Sequence, residues 1–157
     1  MAMTRRDQRR AGFSLIELLL AVSIVGLLSG LAIPNLRTVT ARARAAQIAG
    51  DIEVVQVATN QFNADQFAWP TEVAQGVVPP GLDDFLPSGF SFIGRGYQMD
   101  YERLFPVVVP GDPNTTQLIA VAVVIDTDEL SNALVETLGS SILYSVGRKH
   151  TFMIAGS

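Results

Sequence analysis

The sequence predicts an α+β protein: a long N-terminal helix, transmembrane in its first half, packed on a small antiparallel sheet, with an extra short helix in the head. Three observations predict it. An apolar run, residues 13–33, holds a single charged residue, Glu17. Helix-compatible sequence continues behind it to Gln66, with Pro34 as the only proline between. After a connection rich in Gly and Pro, short β-branched runs alternate with turn signals toward the C-terminus.

The first twelve residues carry Arg5, Arg6, Arg9 and Arg10 against Asp7. They form a basic leader, residues 1–12. The apolar run behind it is 21 residues long. A secretory signal would have a core of about 7–15 residues and a nearby small-x-small site. The nearest A-x-A triplets, Ala41 to Ala43 and Ala43 to Ala45, lie beyond the run and are split by arginines. As a helix the run spans roughly 31 Å, against a bilayer core of ~30 Å. Residues 13–33 are therefore expected to be transmembrane. A plain anchor leaves Glu17 unexplained, because an acid inside a spanning helix costs on the order of 2–3 kcal/mol at the centre. If the chain is cut between Gly12 and Phe13, the new α-amino group lies four residues before Glu17 on the same helix face. Pro34 removes a backbone donor, and Gly26 and Gly30 weaken the helix one and two turns earlier. Gly26, Gly30 and Pro34 thus mark either a helix hinge or a bend with small residues for close packing.

The helix is expected to run over residues 13–66. Ile48, Ile52, Val55 and Phe62, with Thr59 in the gap, form an apolar stripe, while Glu53, Gln56, Asn60, Asn63 and Gln66 fall largely off it. Arg37, Arg42 and Arg44 form a basic collar, with Asp51 and Glu53 as candidate partners. The stop is expected near Phe67-Ala68-Trp69-Pro70, because the residue before proline is pushed out of helical geometry. The head comprises residues 67–157. Residues 71–94 read as loop, with one helical turn around Leu82 to Leu86. Strands are expected at Tyr97–Tyr101, Leu104–Val109, Leu118–Ile125, Ile142–Val146 and Thr151–Ile154. Gly111 to Asn114 reads as a turn, and the last two strands as a hairpin around Gly147-Arg148-Lys149. Leu118–Ile125 is apolar on both faces and so central. Asp128–Leu138 has a helical pattern with an acidic first turn and Gly139 at its end.

Composition narrows the chemistry. The net charge of the chain is −4; without residues 1–12, which carry +3, it is −7. An acidic surface argues against general nucleic-acid binding, with Arg148-Lys149-His150 the one local basic string. There is no cysteine, hence no disulfide, thiolate metal site or thiol nucleophile. His150 is the only histidine, and nothing in the sequence places a Ser-His-Asp set around it. Gly94-Arg95-Gly96 lacks the third glycine of a dinucleotide loop. Asp83 and Asp84 read as solvated. Asp126, Asp128 and Glu129 are weak calcium candidates, more simply explained as acids at a helix N-terminus. No enzyme activity, cofactor or other metal is expected.

The string Gly12-Phe13-Ser14-Leu15-Ile16-Glu17-Leu18-Leu19 resembles the prepilin cleavage motif of type IV pilins and type II secretion pseudopilins. The proline 22 residues after Gly12 is similar to one common in that family. The resemblance implies that a prepilin peptidase cuts after Gly12, that Phe13 is N-methylated and that Glu17 guides assembly. It implies a structural subunit of a type IV pilus-like filament, with homo- or hetero-oligomeric pilin-like subunits, an inner-membrane assembly platform and membrane lipid as partners. The expected location is single-pass in the inner membrane with the head in the periplasm, and later a periplasmic or cell-surface filament. Absence of the cysteine pair common in surface pilins favours a type II secretion pseudopilin over a surface type IV pilin or a DNA-uptake pseudopilin. A membrane-anchored periplasmic binding or enzymatic domain is the remote alternative. Calcium binding occurs in the heads of major pseudopilins, but the acids here do not form a recognised loop.

Overall fold

The structure, a computed structural model, describes residues 12–105 and 117–156, with backbone alone at residues 31–35. Two compact units divide at Arg37 and Thr38. Helix α1, Leu15–Gln66, contributes to both.

In the first unit the backbone is non-helical at residues 12–14 and helical from Leu15. The large apolar side chains from Phe13 to Leu28 are exposed, Phe13 at 86% and Leu15 at 79%. Among the described residues no helix is long and apolar enough to cross a membrane. The apolar run of the sequence, residues 13–33, extends into positions whose side chains lie outside the described set.

The second unit is built on one buried cluster. From α1 it takes Ala45, Ile48, Ile52, Val55 and Ala58, with Phe62 packed against them. This is the stripe expected from the sequence, with two alanines added. Thr59 fills its gap and is fully buried. α1 ends at Gln66, and Phe67 follows with φ 52, its N–H bonded to the Asn63 carbonyl at 2.9 Å. The stop is therefore a left-handed cap, a conformation that usually takes glycine, set three residues ahead of the proline.

The sheet has strands β1 (Ile93–Gly94), β2 (Tyr97–Leu104), β3 (Leu118–Ile125), β4 (Ile142–Val146) and β5 (Lys149–Gly156). It is antiparallel throughout, in the order β1-β2-β3-β5-β4. β3 is central and buried along nearly its whole length, as its two-sided apolar sequence requires. β2 pairs with it from Tyr97↔Ile125 to Leu104↔Leu118. That register carries β2 past the expected end at Tyr101 and absorbs Leu104. The rest of the expected strand at 104–109, beyond Phe105, and the turn at 111–114 lie outside the described residues. β5 begins at Lys149 rather than Thr151, because Val146 pairs with Lys149 and only Gly147 and Arg148 form the turn. Gly147 sits at φ 60, within the left-handed region that tight hairpin turns demand.

Helix α2, Asp128–Leu138, has the boundaries its acidic start and glycine stop predict. It contributes Leu130, Ala133 and Leu134 to the same core. A 3₁₀ turn at Asp83–Phe85 lies where a helical turn was expected.

The two faces of the sheet differ. Tyr97, Met99, Tyr101, Ile119, Val121, Val123 and Phe152 face the helices and are buried. On the opposite face Lys149 bonds Asp100 at 2.9 Å and Glu102 at 2.6 Å. Register places Ala120 and Ala122 of β3 between β2 and β5 on that face. Their small side chains leave room for the lysine stem to cross. Burial alone would lower the pKa of the Lys149 ammonium; the hydrogen bonds and charges of Glu102 and Asp100 outweigh it and hold the ammonium above its ordinary range.

β1 corrects the loop expected over 71–94. Gly94 and Tyr97 pair across a two-residue turn, and a Cβ at Gly94 would stand 2.1 Å from the Tyr97 ring. The ring lies across the glycine and its hydroxyl donates to the Asp51 carboxylate on α1. Asp51 is thus held by a tyrosine, not by the arginine collar. Arg42 pairs with Glu136 of α2 at 3.4 Å, both side chains largely exposed, a pair of little energetic weight.

Gly94→Ala is expected to push the Tyr97 ring off the turn and destabilise the globular unit by about 1–3 kcal/mol. Chemical denaturation of the detergent-solubilised chain, followed by the fluorescence of Trp69, measures this.

Candidate functional site

The motif at the start of α1 is a short, self-contained arrangement. The Ser14 carbonyl accepts the Leu18 N–H at 3.2 Å, which makes Ser14 the residue that caps the helix. The Ser14 N–H and hydroxyl both donate to Glu17 Oε2, at 2.9 Å each. The Glu17 N–H donates back to Ser14 Oγ at 3.3 Å. This is a reciprocal capping box, which satisfies helix-start donors that would otherwise lack partners. The signal was present in the sequence as Ser-x-x-Glu, and the sequence reading, intent on Glu17 alone, missed Ser14.

The bond between Gly12 and Phe13 lies just outside this cap, in non-helical backbone. Among the described residues, its chain neighbours aside, no atom comes within 4 Å of where a Gly12 Cβ would stand. The described part of the fold therefore does not require glycine at that position. The same holds for Gly26 and Gly30, which sit in open space within continuous helix. The backbone remains helical through Pro34. Ser23 and Ser29 donate to the carbonyls of Leu19 and Val25, at 2.8 and 2.7 Å. Such back-bonding satisfies a hydroxyl within an apolar helix.

The other candidates do not assemble into a reactive centre. His150 is 2% exposed. It bonds Ser131 Oγ of α2 through Nε2 and Ser145 Oγ of β4 through Nδ1, at 2.8 Å each. Its partners are two hydroxyls, with no acid in the chain of bonds, and burial pushes its pKa below the ordinary value of 6.5. The basic string expected around it is dispersed. Arg148 donates to the Asp126 carbonyl and lies 3.8 Å from Asp128, Lys149 reaches the opposite face of the sheet, and His150 is in the interior.

Among the described residues no group of three or more His, Cys, Asp or Glu could hold a metal ion. Asp126 bonds Gly96 and Arg148 through its backbone, and the Asp128 carboxylate lies beside Arg148. Gly94-Arg95-Gly96 is the β1–β2 turn, with Gly96 at φ 85. A cavity of ≈ 330 Å³ between residues 78 and 90 is lined by Val78, Asp83, Asp84, Leu86 and Phe90 among others.

A capped apolar helix that leads into an amphipathic stretch packed on an antiparallel sheet defines the pilin-like class. The family model of the prokaryotic N-terminal methylation motif matches residues 7–33. The chain is 32% identical over 116 residues to the type II secretion system core protein G of Klebsiella michiganensis, covering 69% of this chain and 79% of that protein. It is 35% identical over 69 residues to the core protein G of Pseudomonas aeruginosa, 44% of this chain and 47% of that protein. It is 33% identical over 72 residues to a type IV major pilin protein of Neisseria gonorrhoeae, 46% of this chain and 34% of the pilin. The match thus spans less than half the length of the Pseudomonas and Neisseria proteins. No solved structure matches. The chain belongs to the type IV pilin and type II secretion pseudopilin family, whose members are structural, membrane-anchored and filament-forming.

The buried histidine has a pH consequence. The unfolded chain binds a proton at His150 near pH 6.5, and the folded chain does so only at lower pH. Stability contributed by the neutral ring is therefore complete above pH 6.5 and is lost as pH falls from there through the folded value. Melting curves of wild type and His150→Gln are expected to differ in pH dependence over that window, with the wild type losing more stability toward acid.

Proposed function

We propose that the chain is a type II secretion pseudopilin, made as a precursor and converted to a filament subunit through its N-terminal helix. Residues 13–33 lie in the inner membrane as a single span, with residues 1–12 on the cytoplasmic side and residues 67–157 in the periplasm. Prepilin peptidase cuts between Gly12 and Phe13, and Phe13 is N-methylated. An inner-membrane assembly platform then draws the subunit into a filament, where α1 packs against other pilin-like subunits. The chain acts as a structural element and catalyses nothing.

The observation that carries this reading is the Klebsiella core protein G match, which covers most of both chains and so reaches into the globular part. Three physical points support it. Nothing among the described residues requires glycine at position 12, so an external reader of that residue accounts for it. The apolar side chains at the start of α1 are exposed and need an apolar surrounding, first lipid and then neighbouring helices. Among the described residues nothing crowds Gly26 or Gly30, which suits either close subunit packing or, with Pro34, a hinge during assembly.

Glu17 fixes the register. Ser14 occupies two of the roughly four lone-pair sites of an ionised carboxylate, so room remains for an ammonium. After cleavage the Phe13 amine of the same or a neighbouring subunit fills it. A wrong register strands one charge in an apolar bundle, at a cost of about 3–5 kcal/mol. A surface type IV pilin is the second reading, favoured by the Neisseria match, which however covers a third of that pilin.

Glu17→Val is expected to be inserted and cleaved yet to yield no filaments. Sheared-filament yield and electron microscopy, in cells carrying the secretion machine, make the comparison. Filaments of normal abundance and length from this variant contradict the pairing.

A further inference from the structure

We propose that Ser14 is a positioning residue for processing: its hydroxyl fixes the first residue of α1 at Leu15 and so keeps the Gly12–Phe13 bond out of the helix. This rests on the cleavage reading above and adds a determinant that lies on the mature side of the cut.

A peptidase must lay the bond it cuts along its own groove with the carbonyl free to be attacked. In a helix that carbonyl is committed to a donor four residues on, and the flanking side chains turn away by about 100° per residue. The substrate must then melt a turn before it binds. In this chain the bond is already presented. Residues 12–14 are non-helical, the Phe13 side chain is 86% exposed, and among the described residues nothing beyond its chain neighbours would meet a Cβ at Gly12. These features end abruptly at Ser14, because the reciprocal bonds with Glu17 satisfy the donors at the start of the helix where they stand.

The local sequence makes such a stop necessary. Leu15 to Leu20 and Ala21 are strong helix formers, and Arg9, Arg10 and Ala11 on the other side are also helix-compatible. Gly12 alone is a weak barrier between them. Without the cap, the helix gains by recruiting Phe13 and Gly12 as its first turn. The fraction of precursor with the bond presented then falls, and apparent affinity falls by the same factor.

The test compares Ser14→Thr with Ser14→Val, an isosteric pair that differs in the hydroxyl, using full-length precursor in detergent with purified prepilin peptidase. Cleavage is followed by mass, and 13C backbone shifts at Gly12 and Phe13 report helix in the uncut precursor. Threonine caps well and is expected to hold kcat/KM within about twofold of wild type. Valine is expected to lower kcat/KM about three- to tenfold, mainly through KM, and to move both shifts toward helix. Cleavage of Ser14→Val at the wild-type rate overturns the proposal. Slow cleavage with unmoved shifts also overturns it, since that outcome assigns the hydroxyl to direct contact with the peptidase. Failure of wild-type precursor to be cut at Gly12–Phe13 removes the processing reading itself, and the proposal with it.

Discussion

One packing contact organises the globular unit: the stripe Ala45, Ile48, Ile52, Val55 and Ala58 of α1 against the inner face of the sheet. Neither partner is self-sufficient. An isolated helix of this length derives little stability from propensity alone when residues such as Val, Ile, Thr and Asn fill it. The sheet has one two-residue edge strand and a five-residue edge strand, and an uncovered antiparallel sheet of this kind is marginal in water. Burial of Ile48 and Val55 against Val121, Val123 and Phe152 supports both at once.

From this contact the finer features follow. Tyr97 reaches from the β1–β2 turn to Asp51, and the ring can lie where it does because position 94 has no side chain. The opposite face of the sheet is managed by charge. Lys149, Asp100 and Glu102 form a paired cluster across two small alanines, and Tyr144 of the edge strand donates to Glu102 at 3.3 Å. One face is thus mainly apolar and covered, the other polar and paired, which fixes the register of the strands, since a one-residue slip would exchange the two.

Much of this was legible in the sequence, for local reasons. α2 announces itself by Asp128-Glu129 at its start and Gly139 behind it. β3 is apolar at every position, which only a central strand tolerates. The prepilin-like string from Gly12 to Leu19 is dense enough in special residues to be recognised by itself. What was not legible depends on distant partners. β1 exists because Tyr97 folds over Gly94, a fact of three dimensions. The length of β2 is set by its register with β3 and not by its own weak alternation. Arg42 meets Glu136 across 94 positions of sequence, where the sequence offered Asp51 nearby. The exit from α1 is a left-handed Phe67, which no residue preference foretells. At the motif itself the miss was of a different kind: Ser14 and Glu17 stood at capping-box spacing, and only the geometry showed that one carboxylate oxygen accepts two bonds from a single serine.

The most direct measurement is the mass of the N-terminal peptide from chain expressed with and without a prepilin peptidase. The account predicts a peptide that begins at Phe13, one methyl group heavier than its sequence, and found only when the peptidase is present. An end that remains at Met1 in the presence of the peptidase, or a cut beyond Ala43, would contradict it.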